Sequence, residues 1–206
     1  MTTRTITGLY DTYDDAAQTV RDLAAAGVPD ADISVVANNV DNWYALKEKS
    51  SATPDFDAGA AIGMAAGGSA GLLAGLGLLA IPGVGPVVAA GWLVATAVGA
   101  GVGAGAGAAT GGVIGSLTSA GVSREHAHIY AEGVRRGGTL VTARVEEPRV
   151  AVVEEIMRRH RSVDPDTRGR AYHDTGWRAF DDSAAPYTAA ELERERERTR
   201  DLIPIV

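Results

Sequence analysis

The side chains able to do chemistry are few and scattered. His126, His128, His160 and His173 are the only imidazoles, and two residues of separation sets His126 and His128 about 200° apart on a helix, where they cannot share one metal ion. Ser116, Ser119 and Ser123 have no Gly-x-Ser-x-Gly setting, and no histidine and carboxylate are spaced to complete a triad. A relaxed Gly-x-Gly-x-x-Ala at Gly101 and Gly103 follows no strand and runs on into a longer repeat, unlike a phosphate-binding turn. The acid pairs Asp14/Asp15, Glu146/Glu147 and Glu154/Glu155 fall at helix starts or on solvent-facing positions, unlike an acid and base held together. The chain has no cysteine, which removes thiol nucleophiles, disulfides and zinc thiolates. A net charge of -7 opposes a sequence-independent grip on phosphates. The expectation is a non-enzymatic protein with no catalytic, cofactor-binding or metal residues, no nucleic-acid partner and no identified small-molecule substrate.

What is patterned instead is glycine. Gly59, Gly63, Gly67, Gly71 and Gly75, then Gly99, Gly103, Gly107, Gly111 and Gly115, recur every fourth position inside a stretch with no charged residue from Ala58 to Ser123. A glycine inside a helix costs about 1 kcal/mol relative to alanine, so the repeat requires a return from close helix packing. Residues four apart form one ridge, along which a second backbone can approach. Pro82, Gly83, Gly85 and Pro86 break the stretch at a turn that no helix crosses. At about 1.5 Å per residue, each arm could cross a hydrocarbon core of about 30 Å. The apolar clusters Leu72 to Ile81 and Val84 to Val98, beside the turn, would drive insertion. The predicted unit is a glycine-zipper helical hairpin over residues 58–117, a candidate transmembrane segment; the alternative is a soluble scaffold or shell whose hairpins pack in the oligomer core. A homo-oligomer is expected either way.

Outside the hairpin, the chain reads as a small α/β unit cut in two. Thr5 to Tyr10 has strand character, Thr12 offers a helix cap with Asp15 three residues on, and Ala16, Ala17, Val20, Leu23 and Ala24 line one helical face. Gly27 suits the helix end, and Ile33 to Ala37 reads as a second strand. Past the hairpin, Ser123 can cap a helix to about Arg136, Thr139 to Val145 is rich in β-branched residues, and Pro148 opens a helix with Val150, Val153, Ile156 and Met157 on one face. The predicted fold class is α+β, a ferredoxin-like sandwich split by the inserted hairpin. Its parts are 1–57, 58–117, 118–169 and a tail at 170–206. Excising 58–117 should leave a folded domain.

The turn Ala80-Ile-Pro-Gly-Val-Gly-Pro-Val-Val-Ala-Ala-Gly91, the glycine arms and the run Tyr130-Ala-Glu-Gly-Val-Arg-Arg-Gly-Gly-Thr-Leu-Val-Thr-Ala-Arg144 resemble bacterial general stress proteins with a YflT-type heat-induced stress domain interrupted by a glycine-zipper hairpin. The resemblance spans residues 3–165. It implies a general stress protein with no defined catalytic residue. Lys47, Lys49, Arg124, Arg135 and Arg136 flank the hairpin, so the expected address is the bacterial inner membrane with both soluble parts in the cytoplasm, the alternative being wholly cytoplasmic. In the tail, Glu191, Glu193, Glu195 and Glu197 each have an arginine three residues on, as in an exposed helix. The closing Asp-Leu-Ile-Pro-Ile-Val looks like the start of a YsnF/AvaK-type stress domain; alternatively the tail docks on a neighbouring subunit or stays mobile.

Overall fold

The computed structural model describes residues 2–44, 72–73, 76–96 and 112–200, with 199 and 200 described by backbone only. The first strand, β1 (Thr3–Tyr10), leads into helix α1 (Tyr13–Ala25). Thr12 caps α1 as its spacing predicts, its Oγ1 accepting from the Asp15 amide at 3.2 Å and donating to Asp15 Oδ2 at 2.7 Å. Strand β2 (Ile33–Asn38) follows, buried along its whole length.

The next element departs from expectation. The turn at Pro82 to Gly85 joins two strands, β3 (Gly77–Ile81) and β4 (Gly85–Gly91), not two helices. Pro82 and Gly83 take the central positions of a turn in which the Val84 amide donates to the Ile81 carbonyl at 3.1 Å. Gly83 has φ +73, the left-handed geometry a type II turn asks of its third residue. The residues on either side of the turn are extended and pair antiparallel, and β-branched Val87 and Val88 suit a strand better than a helix. Residues 77–91, placed in the helical hairpin by the glycine spacing, therefore belong to the sheet. The Gly85–Gly91 strand pairs with β2 from Asn38↔Val87 to Ser34↔Gly91.

Helix α2 (Gly112–Ser119) leads to α3 (Arg124–Arg135), capped by Ser123, whose Oγ accepts from the His126 amide at 3.2 Å. Strand β5 (Thr139–Glu146) then enters the middle of the sheet, followed by α4 (Val150–Arg159), α5 (Pro165–Asp174) and α6 (Ala189–Arg200). After α4, Val163 makes a single β-bridge with Leu9.

All pairings in the five-stranded sheet are antiparallel, in the order β1-β5-β2-β4-β3. Alternation along the strands splits the core in two. Ile6, Tyr10, Val35 and Val141 face α1 and α4, joined by Val20, Leu23, Val153 and Ile156. Leu9, Val36, Val87 and Leu140 face α2 and α3, joined by Leu117, Ala127 and Val134. The α+β class holds, but helices cover opposite faces of the sheet, which gives three layers where a ferredoxin-like sandwich has two. Burial on both faces explains why β2 shows no alternation of apolar and exposed polar residues. Among the described residues, no helix is long and apolar enough to cross a membrane.

Candidate functional site

Of the ten ridge glycines, Gly59, Gly63, Gly67, Gly71, Gly75, Gly99, Gly103, Gly107 and Gly111 lie outside the described residues. Gly115 lies in α2 with open space where a Cβ would stand. The turn residues are brought into a close contact, though with an unexpected partner. A Cβ on Gly83 would meet the Asp181 carbonyl oxygen and Asp182 Cα, each at 2.7 Å, and one on Gly85 would meet Pro186 Cβ at 2.8 Å. The turn is small because the backbone of the C-terminal tail lies directly against it.

That tail folds back on its own domain. From α5 to α6 it crosses the hairpin turn and the C-terminal end of α3. Arg135 donates to the Ala185 carbonyl at 3.0 Å and lies 5.0 Å from the centre of the Tyr187 ring. Beneath it, Glu132 is completely buried, its Oε1 2.7 Å from Arg136 Nε; Arg136 reaches Glu195 of α6 at 2.8 Å and lies over the Tyr172 ring at 4.3 Å. Burial opposes the Arg136 charge, and the bond to Glu132, with Tyr187 and Glu195 nearby, outweighs it and holds the guanidinium above its usual pKa. Leu192 of α6 is buried beside Gly137. The helix with the alternating Glu/Arg pattern is thus anchored through Leu192 and Glu195, while Arg196–Glu193 (3.4 Å) and Arg198–Glu195 (2.9 Å) form the three-residue pairs expected of it.

Other basic residues are engaged in the same way. Arg135 and Arg136 serve the tail; Arg158 pairs with Glu155, His160 with Asp22 at 2.8 Å, and Arg161 with Asp15 at 2.8 Å. Sequence reasoning found the arginines but missed Glu132, whose i+4 spacing to Arg136 on the buried side of α3 was the available signal. The Gly-Val-Arg-Arg-Gly-Gly run is accounted for by this packing. At Gly133 a Cβ would stand 2.3 Å from Leu9 Cδ2, so α3 lies hard against β1. The Val134 carbonyl accepts from Asn38 Nδ2 at 3.0 Å, tying the helix end to β2.

A cavity of about 180 Å³ opens between the turn, α2, α3 and the tail, walled by Pro82, Val84, Val113, Arg124, His128 and Phe180. His128 Nδ1 is buried there with no hydrogen-bond partner among the described residues. Burial, and Arg124 beside it, lower the His128 pKa and keep the ring neutral. His126 instead turns outward to Asp166 at 2.9 Å, so the two histidines diverge as their spacing predicts. Among the described residues, no three His, Asp or Glu side chains are grouped to hold a metal ion.

Residues 5–80 match the family model described as the heat induced stress protein YflT domain. The match supports the resemblance to the YflT-like general stress proteins. Its limits take in α1, β2 and most of β1 and β3, and stop short of β4 and β5, which complete the same sheet. No curated protein and no solved structure matches the chain.

Proposed function

We propose that this is a non-enzymatic general stress protein that acts by self-association through its two glycine runs. One observation carries the reading. Gly77 pairs with Ala89 across the β3–β4 hairpin, and in sequence the first run precedes β3 while the second follows β4. Neighbouring strands lie about 4.8 Å apart, so the strand ends nearest the two runs in sequence lie side by side. Close packing of two glycine ridges needs that start. The buried ionisable groups serve a structural purpose consistent with this role, since Glu132, Arg136 and Glu195 hold helices together.

The apolar residues beside the turn favour packing within protein over packing in lipid. Val84, Val87 and Val88, expected to drive insertion, are buried in the sheet core. The uncharged segments that remain are rich in alanine and glycine. A soluble self-assembling scaffold is therefore the preferred form, and insertion in the bacterial inner membrane is the second reading, resting on the uncharged span from Ala58 to Ser123. Replacing Gly67 or Gly107 by leucine should lower the oligomer mass in light scattering, while Ala70→Leu, off the ridge, should not. Equal masses for all three would refute the glycine-ridge reading. Carbonate washing of membranes separates the two media: release of the untagged protein supports the scaffold, and retention supports insertion.

A further inference from the structure

The two edges of the sheet are finished differently. On β1, the Val163 amide donates to the Leu9 carbonyl at 2.7 Å, so the following segment blocks that edge near its end, and Arg4 adds a charge near its start. At the opposite edge lies β3, and among the described residues no strand pairs with its outer side. An open edge is a template for another chain, and proteins usually guard it with a lysine, a proline or a bulge. Gly77-Leu78-Leu79-Ala80-Ile81 contains no charge and no proline. Leu79 and Ile81 pack toward the α2/α3 side of the core. Leu78 and Ala80 point to the other face, where Leu78 is 57% exposed.

The strand is sterically complementary to itself. An antiparallel copy related by a two-fold axis through Leu79 places Gly77 opposite Ile81, Leu78 opposite Ala80, and Leu79 opposite Leu79. Each pair off the axis joins a large side chain to a small one, the arrangement that cross-strand packing favours. An isologous contact of this kind closes on two chains. It also sets the Gly77 ends of the two strands at opposite ends of the joint.

We propose that β3 pairs antiparallel with β3 of a second copy, extending the sheet across a two-fold axis at Leu79. This deepens the self-association reading and rests on it. The chain has no cysteine, so Leu79→Cys introduces one thiol, which a short bismaleimide should link to its twin in high yield. Thr5→Cys, on β1, should give no linked dimer. Leu78→Lys should raise the dimer dissociation constant about tenfold, the size expected for losing a well-packed leucine contact. Adding Ala80→Glu should recover it, because Lys at 78 then faces Glu at 80 of the other copy. Residues 78 and 80 are exposed, so circular dichroism should be unchanged in both. If the wild type assembles but Leu78→Lys leaves its mass unaltered and Leu79→Cys does not link, the β3 joint is wrong and the glycine runs carry assembly alone. If Leu78→Lys dissociates the protein while Gly67→Leu and Gly107→Leu do not, the joint stands and the glycine-ridge reading fails. A monomeric wild type overturns both.

Discussion

Arg168 and Asp11 meet in a two-pronged ion pair, Nη1 to Oδ1 and Nη2 to Oδ2, each at 2.8 Å. Asp11 follows β1 directly, and Arg168 belongs to α5, so the pair fastens the start of the tail to the opening strand. The Arg168 side chain is 6% exposed. Burial works against its charge; the hydrogen bond and charge of Asp11 more than compensate and hold the guanidinium above its usual pKa. Together with the Arg136–Glu195 contact, this makes the tail part of the domain.

Arg168→Lys should destabilise the protein although it keeps the charge. A lysine cannot present two parallel N–H donors to one carboxylate. Arg168→Met goes further and leaves Asp11 without its partner, at an expected cost of about 2 to 3 kcal/mol in urea unfolding. Proteolysis between Gly176 and Thr188 should speed up in both variants. A lysine variant that matches the wild type in urea and under protease would mean that the tail is not held by this pair.

Excising residues 58–117 should abolish cooperative unfolding, the reverse of what an independent hairpin implies. The excision removes β3, β4 and most of α2, with Val84, Val87, Val88, Leu93, Val113 and Leu117 from the two cores. Side chains of this size contribute about 1.5 to 3 kcal/mol each when buried, and a domain's whole stability is about 5 to 15 kcal/mol. Replacing residues 97–111 by a Gly/Ser sequence of equal length keeps every strand and should keep a cooperative melt. A cooperative melt after the larger excision would show that β4 adds little to the sheet.

Local signals were legible where the chemistry is local. Thr12 and Ser123 cap the helices their spacing assigns to them, and the period of Ala16, Val20 and Leu23 marks the buried face of α1. The turn at Pro82 to Gly85 was visible as well, but its flanks were not. Four-residue glycine spacing implies helix only as far as the glycines extend, and Val87 and Val88 follow the sheet because β2 lies beside them. Non-local pairing of this kind leaves no periodic trace in a short apolar run. The tail was hardest to read. Its anchors are single residues, Arg168, Tyr172, Leu192 and Glu195, set among polar neighbours, and each acquires its role only from a partner on another element. Glycine at positions 83 and 85 looked like turn chemistry alone, yet the tail backbone against Gly83 and the Pro186 ring against Gly85 make their size equally necessary.

Alkaline pH should loosen the tail before neutral or mildly acidic conditions do. Tyr172 is buried against the tail's attachment point, and that burial is the main cause pushing its pKa up to about 12, with Arg168 and Arg136 pulling the other way. Tyr130, also buried, is pushed to about 12 as well. An unfolded tyrosine titrates near about 10. The folded value is the higher one, so the folded state prefers the protonated phenol; this stability is complete below about pH 10 and is lost as pH rises through about 12. The melting temperature should therefore fall steeply over that window, with phenolate absorbance rising in step. Tyr172→Phe keeps the ring under Arg136 and has no proton to lose, so its melting temperature should fall less over the same range, the remainder belonging to Tyr130 and other groups. If the tyrosine and phenylalanine proteins lose stability in parallel from pH 10 to 12, Tyr172 is not the group through which alkali acts, and the buried contact between α5 and α3 is weaker than its geometry indicates.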